Sequence, residues 1–364
     1  MSTILIKDSL RKSIEAASGG AQTVIYTAKN QPTFMNIVEK YDLSTIDPSL
    51  SGIHPAFIIN GVVKGVIYVG TYSGVVKNGE FLSLPNEAPA HSLLDFAGYV
   101  ANARLNGAGH HIMTAQEWSA ISLKTYKDGT QPLGNTYYGR SSEDSTQYGR
   151  RVDGVDAQAG ITTGLPHIYT GSGPVSFRHN RKYNGISDLA GNIRELCAGV
   201  RMVKKEIQVF ANNDAAMLNA DLSATSASWK AIDAVTGEFI TPDGNGTTYR
   251  SIKYDATGTA DYTIVVPNGY VGSGLFGNLL NTGVNPVSTV ALNKLKALAL
   301  FPLVNNAADS FGNDTFSLTN LDEAIVSMGG TWGGTNTSGI FSTSFVNRTR
   351  KDNSITARPA YYTL

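Results

Sequence analysis

The chain of 364 residues is poor in cysteine, in charged residues and in long apolar runs, and each shortage excludes a class of protein. Its single cysteine, Cys197, excludes an intramolecular disulfide and a zinc site built from several cysteines. Basic and acidic residues number 29 each, and this balance, without a basic run, argues against a nucleic-acid-binding protein. The longest apolar stretch, 297–304, contains Pro302 and is too short to span a bilayer.

The first twelve residues contain Lys7, Asp8, Arg11 and Lys12 but no apolar run of the length that a signal peptide needs. We therefore expect synthesis in a cytoplasm without a Sec-type export signal. Glycine (38 residues) and tyrosine (17 residues) are plentiful, so turns, loops and short strands should outweigh long helices.

Local patterns predict several elements along the chain. Apolar spacing predicts helices at Ile4–Ala17 and Ala291–Leu300, and alternation predicts strands at Gln22–Thr27, Thr33–Val38 and Tyr262–Val266. Asn60-Gly61 between apolar runs predicts a hairpin, because both turn residues then adopt positive φ. Capping boxes at Ser92/Asp95 and Thr114/Glu117 predict two further helices, the first ending near Arg104, and 127–184 should form long ordered loops.

The most informative segment is 185–196, which contains Asp188, the Gly191-Asn192 pair and Glu195. It resembles a block of the formylglycine-generating-enzyme-like family, whose fold is related to C-type lectins. Leu196 replaces the family's final tryptophan, and Arg194 stands where an aromatic residue is usual. Three more blocks follow the family order: Thr114–Trp118, Gly329–Trp332 and the closing Arg358, where Thr356-Ala357 replace the usual Gly-Phe.

The segment 329–361 further resembles the variable repeat of diversity-generating-retroelement proteins, especially phage receptor-binding proteins of the major-tropism-determinant type. His54–Gly61, Gly171–Pro174, Glu206–Gln208 and Asn212–Asp214 also look like phage-encoded members. In such proteins a reverse transcriptase randomises adenine-rich codons, while framework residues stay fixed. The resemblance implies a framework of Gly329, Gly330, Trp332, Gly339, Phe341 and Arg358, with Trp332 largely buried.

Exposed residues between the framework positions are then expected to bind the ligand, with Arg348 and Arg350 as the strongest contributors. Small polar side chains on a fixed frame resemble the chemistry of antibody paratopes. The full set predicted to bind ligand is Thr331, Gly333, Gly334, Asn336, Thr337, Ser342, Ser344, Val346, Asn347, Arg348, Arg350, Lys351, Asn353 and Ser354. The alternative is a plain polar surface loop without a partner.

The resemblance also implies a structural calcium ion, held by Gly191, Ile193 and Glu195, because family members bind calcium beside this block through carbonyl and carboxylate oxygens. In the alternative, Glu195 accepts hydrogen bonds from backbone amides of the long loops. No other cofactor is expected.

Three sequence features could indicate an enzyme or cofactor site, and each has a structural alternative. Catalytic family members use two C-terminal cysteines, and no cysteine follows Cys197, so we predict no enzyme activity and a buried, apolar role for Cys197. Gly272–Gly277 spells GxGxxG, but no helix can follow it past Gly283 and Pro286. His110, His111 and Glu117 could form a metal site, although adjacent histidines in an extended segment point to opposite faces.

The sequence therefore predicts an α+β fold of the C-type-lectin-like, formylglycine-generating-enzyme-like type, with a twisted, mostly antiparallel sheet, two helices and long ordered loops. Residues 1–50 should form an N-terminal helix and strands for virion attachment. Residues 51–364 should form the lectin-like domain, with an insertion at about 205–305 and a variable ligand-binding segment at about 327–361.

The predicted function is host adhesion by a phage tail receptor-binding protein located at the tail tip. Its expected partners are a host surface protein or glycan, other tail proteins and further copies of itself in a trimer, but neither nucleic acid nor a membrane interior. The alternative is a bacterial surface-display or carbohydrate-binding lectin module of the same fold, which should carry an export signal.

Overall fold

The computed structural model describes residues 2–272 and 274–364, with side chains described from residue 9 onward. In these residues the chain is mixed α+β, with two larger sheets where the sequence predicted one and four α-helices where the resemblance implied two. The helices are α1 (Ser2–Ser18), α2 (Phe96–Leu105), α3 (Ala115–Lys127) and α4 (Thr289–Ala297).

Helix α3 begins as its sequence predicts. The Thr114 hydroxyl accepts a hydrogen bond from the Glu117 amide at 3.1 Å, and the Glu117 carboxylate accepts one from the Thr114 amide at 3.0 Å. This reciprocal capping box satisfies two amides that would otherwise lack partners. The prediction of helix α1 from apolar spacing is also confirmed, as is the short helix α4.

The predicted start of helix α2 at Ser92 is wrong. Ser92 adopts a left-handed φ of 58°, which an α-helix excludes. Asp95 is the actual N-cap, and its carboxylate accepts a hydrogen bond from the Gly98 amide at 2.9 Å. The helix therefore begins one turn later, at Phe96.

The smaller sheet has five strands, and all of its neighbouring strands are antiparallel. Their order is β1 (Gln22–Tyr26), β2 (Pro32–Glu39), β5 (Val66–Gly70), β19 (Pro359–Tyr361) and β8 (His110–Ile112). The end of the chain thus pairs between strands from the N-terminal third. The predicted strands at 22–27 and 33–38 are confirmed as β1 and β2.

The larger sheet has ten strands, and it is built around the central pair of β9 (Arg194–Val203) and β16 (Glu323–Met328). The main path continues on one side through β10 (Glu206–Val209), β11 (Lys230–Ile232) and β12 (Phe239–Ile240), and on the other through β17 (Thr343–Val346) and β15 (Phe316–Ser317). Off this path lie β13 (Lys253–Asp255), β14 (Thr263–Val265) and β18 (Ile355–Thr356). The region of about 205–305 thus contributes β10–β14 and α4 to this architecture.

Two separate hairpins complete the strands of the described residues: β3 (Ile58–Ile59) with β4 (Val62–Val63), and β6 (Gly74–Lys77) with β7 (Glu80–Ser83). In the first, Asn60 and Gly61 have φ angles of 50° and 71°. These positive values are what a two-residue hairpin of matching twist requires, and they confirm the prediction. Between α3 and β9 the described chain has only a short 3-10 turn, Val175–Phe177, and isolated bridges, so the predicted ordered loops are confirmed.

The core brings α3 against the C-terminal segment. The Trp118 side chain is 1% exposed, and its indole Nε1 donates to the Ile340 carbonyl at 2.7 Å. Ile340 and Phe341 belong to the same buried cluster as Trp118. The loop between β16 and β17, residues 329–342, is therefore fixed to the core at its C-terminal end.

Candidate functional site at the C-terminal segment

Two glycines let the chain leave strand β16 in a tight turn. Gly329 has a φ of 89°, and a Cβ atom there would lie 2.9 Å from the Leu189 carbonyl oxygen. Gly330 has a φ of 70°, and a Cβ atom there would lie 2.4 Å from the Ser338 hydroxyl. Because L side chains rarely adopt this conformation and no space exists for one, both positions require glycine.

Phe341 fixes the C-terminal end of the loop between β16 and β17. It is 1% exposed, and its ring stacks on Phe276 with 5.1 Å between centroids and lies edge-on to Phe311 at 5.1 Å. Its amide donates to the buried Asp314 carboxylate at 2.7 Å. The residue thus anchors the loop through aromatic packing and one buried hydrogen bond.

Trp332 is partly buried, so most of the residue is shielded as predicted, but it is less deeply buried than Phe341. Its ring lies edge-on to Tyr138 with 5.2 Å between centroids, and its amide donates to the Asn192 carbonyl at 3.0 Å. The indole sits where the 331–337 turn meets a surface loop, and this position leaves part of the ring in solvent. Its Nε1 is buried without a hydrogen-bond partner among the described residues.

Tyr137 and Tyr138 were not predicted as part of the site. Both are half-buried, and their rings lie 5.2 Å apart between centroids. Arg140 lies over the Tyr137 ring at 5.0 Å. With Trp332 they form what we call the aromatic trio. The available signal was a Tyr-Tyr pair in a loop otherwise rich in Gly and Asn, which is weak without the fold.

The residues predicted to bind ligand differ in exposure, and two of them cannot contact a partner. Ser342 is 2% exposed, because its hydroxyl donates to the Thr337 carbonyl at 2.5 Å and accepts from the Gly339 amide at 3.0 Å. Val346 is 5% exposed and packs in the cluster around Phe96. Their prediction as exposed positions is wrong. Val346 lies in strand β17, which pairs between β16 and β15, and Ser342 lies in the turn directly before that strand.

The other twelve predicted positions reach the surface to different degrees. Gly333, Asn336, Asn347, Lys351 and Asn353 are exposed, whereas Thr331, Gly334, Thr337, Ser344, Arg348, Arg350 and Ser354 are partly buried. Thr335 and Thr349 are exposed between them and were missed.

Arg348 has a structural role, although the sequence suggested it as a strong ligand contact. Its guanidinium donates to both carboxylate oxygens of Glu323, at 2.6 and 2.9 Å, and to the Leu222 carbonyl at 2.8 Å. Such a bidentate pair leaves few donors for a partner. Arg350 is more open: it donates to Asp352 at 2.7 Å and keeps 37% of its side chain exposed.

Asn192, just before strand β9, contacts the first of the two exposed parts of the C-terminal segment, the turn at 331–337. Its backbone carbonyl accepts from Trp332, and its side-chain oxygen accepts from the Ile168 amide at 3.0 Å. Two residues later, Arg194 pairs with Ile355 where β18 joins β9. The turn at 331–337 and the loop at 347–354 therefore both border the start of strand β9. We call the exposed parts of these two segments, with the aromatic trio, the candidate surface.

The Gly191–Glu195 block carries an ion pair where calcium was expected. The buried Glu195 carboxylate accepts from the Arg358 guanidinium at 2.6 and 2.9 Å and from the Ser73 hydroxyl at 2.8 Å. Arg358 is fully buried and also donates to the Gly70 and Ser187 carbonyls, each at 2.9 Å. Glu195, Gly191 and Ile193 do not fit a calcium site, because the Arg358 guanidinium occupies the one carboxylate among these three residues. The alternative expectation, that backbone amides donate to Glu195, is wrong, because its partners are the Arg358 and Ser73 side chains.

The other candidate chemistries have structural explanations. His111 Nε2 lies 2.9 Å from Glu117, whose same oxygen accepts from Asn213 at 3.0 Å. In the described part of the chain no three His, Cys, Asp or Glu side chains are arranged to hold a metal ion. Cys197 is buried, as predicted, and burial raises the pKa of its thiol, which disfavours the reactive thiolate.

The GxGxxG motif lacks the context of a dinucleotide site. Ser273 lies outside the described residues. Strand β14 ends at Val265, and Gly277 lies in a single 3-10 turn, Phe276–Asn278, with no α-helix until Thr289. Among the described helices, none has the length and apolar character needed to cross a membrane.

Comparisons with known proteins add one structural likeness. Neither a scan against protein-family models nor a search of curated proteins found a match. Among solved structures, Treponema denticola variable protein 1 is similar, with 10% sequence identity over 94% of this chain and 99% of that chain, at a TM-score of 0.34.

Proposed function

We propose that this chain is a ligand-binding protein without enzyme activity, and that its C-terminal segment is a surface built to tolerate diversification. The observation that carries the proposal is the separation of frame and surface within one segment. Gly329, Gly330, Phe341 and Arg358 fix the backbone through packing, close approach and buried hydrogen bonds. The exposed positions between them have little part in that frame.

The side chains at the exposed positions make few contacts with the rest of the fold. A Cβ atom at Gly333 would meet nothing within 4 Å, and Gly333 has no positive φ. Lys351 and Asn353 are exposed and donate no side-chain hydrogen bond among the described residues. Surface substitutions away from packed or hydrogen-bonded groups usually change stability by less than about 0.5 kcal/mol. Many sequences at these positions should therefore support the same fold.

The chemistry of the candidate surface suits recognition of a macromolecule. The aromatic trio supplies partly exposed rings with few rotatable bonds, and Asn, Ser, Thr and Gly supply adaptable hydrogen bonding around them. Antibody paratopes combine the same residue types. Contact energy would concentrate in the rings and in Arg350, whereas the small side chains exclude water around them.

We further propose that the protein acts at a phage tail tip, where it binds a host surface receptor. This finer proposal is supported by the order of sequence motifs and by the polar C-terminal segment. The N-terminal helix α1 and strands β1 and β2 would attach it to other tail proteins, and a trimer would multiply weak contacts. A bacterial surface lectin module is the competing interpretation.

The experiment measures binding of fluorescently labelled protein to a panel of bacterial strains that includes the strain carrying the gene. The triple variant Asn336→Ala/Lys351→Ala/Asn353→Ala should lose cell binding by at least about tenfold, which corresponds to about 1.4 kcal/mol of binding free energy. Its melting temperature should match that of the parent, because none of the three side chains contributes to packing.

A matched control removes the same residue types elsewhere. Lys182, Asn219 and Asn245 are also exposed, and Lys182→Ala/Asn219→Ala/Asn245→Ala should bind cells like the parent protein. Equal loss of binding in both triple variants, or no binding to any strain in the panel, would contradict the receptor-binding proposal.

A further inference from the structure

Arg194 stands out among the described residues because its side chain makes no hydrogen bond and no ion pair. It is the first residue of strand β9 and is partly buried. Its Nε atom is buried without a hydrogen-bond partner, and it takes part in none of the ion pairs of the described residues. The other buried or partly buried arginines donate hydrogen bonds. Six hold a carboxylate: Arg151, Arg201, Arg250, Arg348, Arg350 and Arg358. Others donate to backbone carbonyls, among them Arg104, Arg140 and Arg178. A partly desolvated guanidinium without an acceptor is costly, so the group calls for an anionic partner from outside the chain.

Arg194 and the two charged groups near it, Arg350 and Asp352, together carry one net positive charge, because two guanidinium groups face one carboxylate. The Asp352 carboxylate already accepts from Arg350 at 2.7 Å with one oxygen, and from the Ser354 amide and hydroxyl at 2.8 and 2.7 Å with the other. Two guanidinium groups thus share one carboxylate, whose hydrogen bonds are directed to the loop itself.

The place of Arg194 connects this charge to the candidate surface. Its strand partner, Ile355, directly follows the loop that carries the exposed Lys351 and Asn353. On the other side, Asn192 accepts the Trp332 amide, so the aromatic trio lies along the same stretch of chain. An acidic group of a ligand seated on the candidate surface would therefore come within reach of Arg194.

We propose that Arg194 and Arg350 form an anion subsite that accepts the carboxylate of an aspartate or glutamate side chain of a partner protein. This inference rests on the proposed ligand-binding function and names the chemistry of its partner. A guanidinium offers two parallel N–H donors that match a carboxylate, which favours a carboxylate over a neutral acceptor. A protein partner is favoured because partly exposed Trp, Tyr and Arg side chains together are typical of protein interfaces.

The experiment uses the full chain and two tetrapeptide probes, acetyl-tetraglutamate amide and its glutamine counterpart. The readouts are the Nε–Hε resonance of Arg194 and the backbone amides of 350–355 in ¹H–¹⁵N spectra, followed during titration. The glutamate peptide should give saturable shifts, and the glutamine peptide should not. In Arg194→Gln and in Arg350→Gln, the apparent affinity for the glutamate peptide should fall by about tenfold or more, as expected for a lost charge-assisted pair.

Controls separate binding from folding. Arg181→Gln removes an exposed arginine that hydrogen-bonds only to the Gln131 carbonyl, and it should leave the titration unchanged. Arg194→Gln should keep or raise the melting temperature, because it removes an unpaired charge. A large drop in melting temperature would instead assign Arg194 a structural role and overturn the proposal.

Two further outcomes would also overturn it. Equal shifts with the glutamine peptide would show that charge is not recognised. Tighter binding of glucuronate than of the glutamate peptide, with glucose inactive, would identify an acidic glycan in place of a protein. The proposed function fails separately, through the cell-binding triple variant, which leaves Arg194 and Arg350 intact.

Discussion

Replacing Arg358 with methionine should remove the buried hydrogen bonds by which this residue connects the C-terminal segment to the two sheets. Arg358 is fully buried, follows strand β18 of the larger sheet and precedes strand β19 of the smaller one. It donates two hydrogen bonds to Glu195 on strand β9 and one to the Gly70 carbonyl at the end of strand β5. The variant would leave the Glu195 carboxylate buried with only the Ser73 hydroxyl as partner.

The expected loss follows from the uncompensated charge. Removing one partner of a buried ion pair typically costs about 3–5 kcal/mol, whereas replacing both partners by apolar side chains is often close to neutral. Arg358→Met should therefore lower the free energy of unfolding by about 3–5 kcal/mol. The double variant Arg358→Met/Glu195→Leu should be more stable than Arg358→Met alone, because no buried charge remains.

Urea denaturation followed by far-UV circular dichroism measures these differences, and the same titrations in excess calcium and in chelator test the competing calcium interpretation. Calcium should leave the parent unchanged. Two results would refute the reasoning: an Arg358→Met variant as stable as the parent, or a parent that calcium stabilises and Glu195→Gln makes insensitive to calcium.

The remaining predictions concern anchoring, pH and activity. Phe341→Ala should cost about 3–5 kcal/mol by urea denaturation, and the half-buried Trp332→Ala clearly less; the reverse order would contradict the anchoring described here. Burial lowers the pKa of His54 from 6.5 to about 3, so its contribution to stability is present above pH 6.5 and lost as the pH falls toward 3. His54→Gln should therefore reduce the slope of unfolding free energy against pH in that range by up to about 1.4 kcal/mol per pH unit; an unchanged slope would be contrary evidence. Because Cys197 is buried and alone, mass spectrometry should find no aldehyde when a cysteine-containing sulfatase peptide is incubated with the protein and copper, and product above a blank would reverse the non-enzyme proposal.

Sequence reasoning succeeded where the physics is local. The Asn60-Gly61 turn and the Thr114/Glu117 capping box depend on residues at most three positions apart, so their patterns suffice to predict them. Even a local pattern can fail: the Ser92/Asp95 box predicted the helix start at Ser92, but Ser92 has a left-handed φ and Asp95 is the N-cap.

What sequence reasoning missed depends on distant partners. Glu195 and Arg358 are 163 positions apart, and no local signal indicates that one holds the other. Val346 is buried because β17 pairs between β16 and β15, and Ser342 is buried in the turn before that strand, where its hydroxyl bonds to Thr337 and Gly339. Tyr138 became a part of the site only because its loop folds against Trp332.

The most direct test of the central claim is a display library randomised at Gly333, Asn336, Lys351 and Asn353, compared with one of the same residue types at exposed positions elsewhere: Gly65, Lys182, Asn219 and Asn245. Both libraries are sorted for protease-resistant display and then for binding to a purified protein such as lysozyme. The account predicts that most members of the first library fold and that only this library yields binders. Widespread misfolding in the first library, or binders arising equally from the second, would contradict it.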